Sequence, residues 1–454
     1  MRRSSMKSLG IFKIESEDEI ENHFGDIKIE FDSKEKRQKM IYDKKKFSKG
    51  STRDLERKLF RGSRLILLRN LTKNRKHIFF PKIKILTDPS QASINFDGES
   101  SRLKRAVNTL QVATWRFPLL YYVDPDLDAK KIDKAIAIIQ SNTCLRFRKS
   151  KKLYKRRQGL VFVEYPICGS FIGNYFGKKA QIVAVDKYCN SSVPTIQYLI
   201  GYALGMVNQQ SRSDRDQYVT INMSHVTPGD EIGFKKYKKS EAESYGLGFD
   251  FSSMLMYSPT TFGILGLETV TPIHPAYRNM MGQRYDFSFN DYKLLNLHYC
   301  KKKCGKKPIV CDNNGYPDPN DCTRCKCPTG FRGSKCRKLE KSDKECGETE
   351  IKAEHVNKDL NLEGAKNCTY LIKTGKGEHL KVTVRRHMTK VYRRCYDKLG
   401  LQIKFQKDKG AGGLCLCGFN RDIDIISNSS YLLVQYVGTS ETDLAQLRYR
   451  IMSD

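Results

Sequence analysis

The chain has one tryptophan and eight histidines in 454 residues, and nowhere a run of eighteen apolar residues. The last absence excludes a membrane-spanning helix. The opening MRRSSMKSLGIFKIESEDE has no apolar h-region, so no signal peptide is readable in it. Acidic residues are short as well: 50 Asp and Glu face 82 Lys and Arg, a formal net charge of +32. Such an excess suits anionic partners and says nothing about the fold. Cysteine, in contrast, is plentiful, with fifteen residues, all after position 140. Cysteine-dense modules require an oxidising compartment. Sequons at Asn70, Asn190, Asn222, Asn367 and Asn428 agree with that compartment. The sequence thus predicts a secreted, extracellular protein, with a leader outside this chain or an unconventional exit. Its length gives room for three or four modules.

One stretch is the most informative. From Tyr198 it reads Tyr-Leu-Ile-Gly-Tyr-Ala-Leu-Gly, followed by Asn208-Gln209-Gln210-Ser211-Arg212 and Asp214-Arg215-Asp216. In the zinc motif H-E-x-x-H-x-x-G-x-x-H, two histidines one helical turn apart face the metal. The glutamate beside the first is the general base, and a glycine bends the chain toward a third histidine. On these residues the chain resembles the astacin family of zinc endopeptidases, whose motif reads approximately HEIGHALGxxHEQSRxDRD. The resemblance puts Tyr198, Tyr202 and Asn208 at the zinc-ligand positions and Leu199 at the general base. Gln209 takes the place of the glutamate after the third histidine. Zinc sites use imidazole, thiolate or carboxylate. A free phenol has a pKa near 10, and Leu199 accepts no proton. The expectation is that no zinc cofactor binds and no peptidase activity remains. Ile196, Leu199, Ile200, Ala203 and Leu204 then form the buried side of an ordinary core helix. Two alternatives stay open. Tyr198, Tyr202 and Tyr257 could form a phenolate site for ferric iron or copper, or an active zinc endopeptidase could draw ligands from elsewhere, His225 being nearest in sequence.

Further motifs extend the resemblance. Ser252-Ser253-Met254-Leu255-Met256-Tyr257 is similar to the Met-turn beneath the metal, with Leu255 at the methionine position and Tyr257 at the family tyrosine. Trp115-Arg116-Phe117-Pro118 with Tyr121-Tyr122-Val123-Asp124 resembles the opening strand, and Thr143-Cys144-Leu145-Arg146-Phe147 matches TCxRF. Between them, Ile132, Ala135, Ile136 and Ile139 recur at helical spacing. The family pattern implies the disulfides Cys144–Cys300 and Cys168–Cys189. Six cysteines from Cys304 to Cys336, ending in Cys327-Pro-Thr-Gly-Phe-Arg-Gly-Ser-Lys-Cys336, resemble an EGF-like module with Cys327 paired to Cys336. A zinc knuckle at Cys322 and Cys325 is the rival. Residues 346–451 resemble a CUB domain, with Cys346 paired to Cys368, strand-like runs, and Cys415 and Cys417 competing for Cys395.

The resemblance therefore implies an α+β fold. A two-lobed metzincin domain (106–300) precedes a small disulfide-rich EGF-like module (301–337) and an all-β CUB sandwich (346–451). Residues 1–105 form a basic, propeptide-like segment, with Lys104-Arg105 as a dibasic processing site. Degenerate aspartate-switch candidates lie at Phe24-Gly25-Asp26 and Phe96-Asp97-Gly98-Glu99. A basic patch comprises Arg146, Arg148, Lys149, Lys151, Lys152, Lys155, Arg156 and Arg157. In an extracellular setting it suits acidic glycans rather than nucleic acid, or it is simply a solvated face. The leading expectation is an inactive astacin-like protein that binds extracellular protein or matrix. A basic adhesive or glycan-binding structural protein is the other reading.

Overall fold

In a computed structural model, residues 114–154 and 156–452 are described. Lys104, Arg105, Lys155, Asn70 and both aspartate-switch candidates lie outside them.

The metzincin domain begins with β1 (Leu119–Val123), α1 (Ala129–Asn142), β2 (Phe147–Lys149), β3 (Gly159–Glu164), β4 (Gly169–Ser170) and β5 (Ala180–Val185). These strands form one sheet in the order β2-β1-β3-β5-β4, parallel except for β4. Asp128 caps α1 by accepting from the Lys130 backbone N–H, and Ile132, Ala135, Ile136 and Ile139 are its buried residues. Together with α2 (Val193–Ala203), α1 covers one face of the sheet through an apolar cluster that includes Leu119, Leu160 and Val183. The opposite face carries Val161, Val163, Ile182 and Ala184. It is covered by Leu153 and Tyr154 from the loop after β2.

The lower lobe holds little regular structure. It contains the two-stranded pair β6 (Val219–Ile221) and β7 (Val270–Pro272), then α3 (Phe289–Tyr299). A capping box starts α3: Ser288 Oγ accepts from the Asp291 N–H, and Asp291 Oδ2 accepts from the Ser288 N–H. Cys144–Cys300 ties α3 back to the upper lobe, and Cys168–Cys189 closes the loop before α2.

The EGF-like module consists of two hairpins, Tyr316–Asp318 with Asp321–Lys326 and Phe331–Arg332 with Lys338–Leu339. Its bridges are Cys304–Cys322, Cys311–Cys325 and Cys327–Cys336. Cys322 and Cys325 are thus spent on disulfides, which removes the zinc-knuckle alternative. The CUB sandwich has a five-stranded sheet built on Asn367–Lys373, Tyr431–Val437 and Gly400–Lys404, packed on a four-stranded sheet built on Leu444–Ile451 and Leu380–Met388. It carries Cys346–Cys368 and Cys395–Cys417, leaving Cys415 as a free, buried thiol.

The sandwich is not a tethered bead. One continuous apolar cluster runs from Phe249, Phe251, Tyr277 and Met280 of the lower lobe into Leu401, Leu414 and Val434 of the sandwich. Polar contacts follow the same seam. The Cys395 N–H donates to the Asn279 carbonyl at 2.9 Å. Asp250 Oδ1 accepts from the Gly412 N–H at 3.0 Å, and Tyr285 stacks on Tyr396 at 4.1 Å.

Candidate functional site

The local sequence builds the centre of the metzincin domain from α2 outward. Ser192 caps the helix by accepting from the Thr195 N–H, with Pro194 in the first turn. The helix ends in a Schellman turn. The Gly205 N–H donates to Tyr202 O and the Met206 N–H to Gly201 O, with Gly205 at φ +94°. That left-handed glycine reverses the chain and returns Asn208 to the helix face. Gly201 is needed for close packing, since a Cβ there would lie 2.9 Å from the Phe287 ring.

Three side chains meet at this point. Tyr198 Oη and Tyr202 Oη are 2.6 Å apart, and Tyr202 Oη donates to Asn208 Oδ1 at 2.7 Å. Tyr198 Oη lies 3.5 Å from the same amide oxygen. The two rings cross edge to face with centroids 4.7 Å apart. Burial is nearly complete: Tyr198 is 0% exposed, Tyr202 2% and Asn208 7%. Leu199 is also fully buried, within the apolar cluster under the sheet.

Beneath them runs the Met-turn, held by the start of α3. Asp291 accepts from Ser253 Oγ at 2.7 Å and from the Met254 N–H at 2.9 Å. Burial, with the Asp250 charge adding, pushes the Asp291 carboxyl up to about 7. Arg284 closes the arrangement. Its Nη1 donates to the carbonyls of Met254, Met256 and Gln283, and its guanidinium lies over the Tyr198 ring at 4.5 Å. Tyr257 sits with its ring edge-to-face against Phe234 and Phe262. His225 is not hydrogen-bonded to the tyrosines; its Nδ1 meets the Glu268 carbonyl at 2.7 Å.

These residues do not fit zinc. Two ligands about 2.1 Å from one tetrahedral ion stand about 3.4 Å apart, whereas the oxygens here sit at direct hydrogen-bond distance, 2.6 and 2.7 Å. The bonds Tyr198–Tyr202 and Tyr202–Asn208 both use phenol protons, the opposite of the phenolate that iron or copper would require. A permanent cation, Arg284, adjoins the cluster and opposes any further positive charge. Chemically the arrangement is a satisfied buried polar network.

The basic patch lies apart from this centre. Arg146, just before the edge strand β2, and Arg148, Lys149, Lys151, Lys152, Arg156 and Arg157, on and after it, are exposed. Leu153 and Tyr154 anchor the loop, Tyr154 Oη donating to Leu160 O at 3.1 Å, while Lys151, Lys152, Arg156 and Arg157 are exposed to solvent. Lys149 pairs with Asp133 at 2.6 Å.

Arg284, Asp250 and Asp291 carry much of this geometry without drawing notice in the sequence. Only Asp291 has a readable signal, the Ser288-Phe-Asn-Asp291 capping box.

Comparison with known proteins bears on the same region. Residues 107–300 match the family model described as Astacin, a family of peptidases. "Zinc metalloproteinase nas-34" of Caenorhabditis elegans is 30% identical over 353 residues, covering 77% of this chain and 57% of that protein. "Zinc metalloproteinase nas-23" of the same organism is 31% identical over 327 residues, covering 69% of this chain and 60% of its own length. The chain therefore spans less than two thirds of either relative. Among solved structures, High choriolytic enzyme 1, a hatching enzyme zinc-protease from Oryzias latipes, is 26% identical with a TM-score of 0.36. It covers 40% of this chain and 88% of its own.

Proposed function

The chain belongs to the astacin family of peptidases through residues 107–300, and we propose that it is a catalytically inactive, secreted member that acts by binding extracellular protein or matrix. One observation carries the reading: Tyr198, Tyr202 and Asn208 hydrogen-bond to one another where the family pattern holds its zinc ligands. Leu199 stands at the general-base position and can neither take a proton from water nor orient one. Removing the base and all three ligands leaves neither a Lewis acid nor a nucleophile for amide hydrolysis. Seven disulfides support an oxidising, extracellular setting. Among the described residues no helix is long and apolar enough to cross a membrane. The test is elemental analysis for zinc on the folded protein, with a broad peptide-cleavage assay on the same sample. Metal near zero with no cleavage is expected. Stoichiometric zinc with chelator-sensitive cleavage would overturn the reading.

A second reading rests on the exposed β2 edge. Arg148, Lys151, Lys152, Arg156 and Arg157 project together from a loop pinned at Leu153 and Tyr154, and they suit a sulfated or carboxylated glycan. Retention on a heparin column should fall steeply with salt and drop in an Arg148→Glu, Lys151→Glu, Lys152→Glu variant. Retention unchanged in that variant would remove the patch from the function.

A further inference from the structure

Where the three modules meet there is a cavity of about 530 Å³, within the size range of ligand sites. Its walls are aromatic and amide-rich. Tyr218, Tyr277 and Phe405 supply rings, while Gln406, Asn314 and His274 supply polar groups. The rings are held by stacking, Tyr218 on Phe249 at 4.5 Å and Tyr277 on Phe251 at 4.1 Å. Gln406 Nε2 donates to Tyr277 Oη at 3.3 Å, and Asn314 Oδ1 accepts from the Lys409 N–H at 2.9 Å, so both amides are held in place. Rigid rings beside fixed amide groups suit a ligand with an apolar C–H face and hydroxyl or acetamido groups, which is a sugar.

At the rim of this cavity stands Asn428 of the sequon Asn428-Ser429-Ser430. Its backbone N–H donates to Phe405 O at 3.0 Å, which fixes the residue, and its side chain is exposed. The other described sequons differ. Asn222 spends its amide N–H groups on Glu268 O at 3.2 Å and Thr271 Oγ1 at 3.3 Å. Asn190 has a buried amide oxygen, and its third residue, Ser192, is the cap of α2. Asn367 is exposed at the start of a sandwich strand, away from the cavity lining.

We propose that Asn428 is N-glycosylated and that the first sugars of its glycan lie in this cavity, bridging the metzincin domain to the sandwich. The inference rests on the secretory reading above. In the attachment, Asn428 Nδ2 loses a proton and bonds to the anomeric carbon of an oligosaccharide carried on a polyprenyl diphosphate. The bond from that carbon to the diphosphate breaks, and the diphosphate leaves with the electron pair. A glycan seated this way covers Tyr218, Tyr277 and Phe405 and slows solvent access to the segments around them.

The test uses the full chain behind a secretory leader, with glycopeptide mass spectrometry at every sequon. Asn428 and Asn367 should be occupied, Asn190 and Asn222 empty. In an Asn367→Gln variant, amide hydrogen exchange over 273–277 and 404–408 should then be at least about fivefold slower before than after enzymatic removal of the Asn428 glycan. Correct disulfides with Asn428 empty would overturn this proposal alone. Asn428 occupied with no change in exchange would overturn the seating. A chain that emerges without its disulfides and with no sequon occupied would overturn the secretory reading together with it.

Discussion

Replacing Tyr202 by Phe tests whether the tyrosine cluster is structural. The ring is retained, so no cavity opens and only oxygen chemistry changes. Two short contacts disappear, 2.6 Å to Tyr198 Oη and 2.7 Å to Asn208 Oδ1. Each such bond contributes about 0.5–1.5 kcal/mol net, so the gross loss is about 1–3 kcal/mol. Tyr198 Oη, already 3.5 Å from Asn208 Oδ1, can close on it and recover part of that, which leaves about 1–2 kcal/mol. The protein supplies its own probe. The single tryptophan, Trp115, is 5% exposed and donates Nε1–H to Ala203 O at 2.7 Å, at the end of the helix that carries the cluster. Guanidinium unfolding followed by its fluorescence should show a lower midpoint with an unchanged slope. Tyr198→Phe removes the same 2.6 Å bond, so the double variant should lose less than the sum of the singles. A midpoint unchanged by Tyr202→Phe, with strict additivity in the cycle, would show that the hydroxyl network holds nothing together.

Other expectations follow from neighbouring groups. Restoring the family residues as Tyr198→His, Leu199→Glu, Tyr202→His and Asn208→His should destabilise the metal-free chain by several kcal/mol, since Leu199 is fully buried and its replacement is a carboxylate. In that variant, competition titration against a chelator should give weaker zinc binding with Arg284 present than after Arg284→Met, and equal affinities would remove the guanidinium from the argument. Asp291 is held near 7 in the folded protein against an ordinary 3.8. Between roughly pH 4 and 7 the folded chain keeps a proton that the unfolded chain releases, so this contribution is fully present below about pH 4 and is lost as pH rises through 7. The thermal midpoint should therefore fall between about pH 4 and 7 and level off above, and Asp291→Asn should flatten that slope. Cys415 is fully buried and its thiol is pushed up by burial, so alkylation should find no reactive thiol in the native protein and one after unfolding.

Periodicity and local motifs were legible because their partners are close in sequence. The four apolar positions of α1 are its buried residues, and the frame around Gly201 and Gly205 marks the helix and its Schellman turn. Partners far apart were not legible. Arg284 lies over Tyr198 from more than eighty residues away, and nothing in its surroundings announces a cation over a ring. The choice between Cys415 and Cys417 was closed to the sequence for a different reason. Residues two apart on an extended strand project to the same side, so spacing leaves both facing Cys395, and only the packing around Met280, whose sulfur accepts from the Cys415 N–H, separates them. The fusion of sandwich and lower lobe was equally hidden. Its apolar cluster joins residues more than a hundred positions apart, and its polar contacts, such as Asn279 with Cys395, lie on loops without a local pattern.

The way the positions that differ from the family pattern are satisfied bears on the proposed inactivity. Taking ligands away from a buried metal site leaves polar atoms facing one another without an ion, and each unsatisfied buried group costs about 1–3 kcal/mol. Tyr202 and Asn208 instead pair directly, Tyr198 joins them, and Gln209 and Gln210 accept from the backbone N–H groups of Asp250 and Tyr257, though Gln210 Nε2 is left buried without a partner. Those glutamine contacts tie the segment after α2 to the chain around the Met-turn. Asp250 in turn accepts from Gly412 of the sandwich, so the tyrosine-cluster side of the domain and the CUB interface share one polar chain. A substitution that broke the tyrosine cluster would therefore be felt at the sandwich. Tyr202→Phe offers the check: it should loosen amide protection at 410–415 as well as in α2, whereas loosening confined to α2 would mean that the chain ends at Gln209.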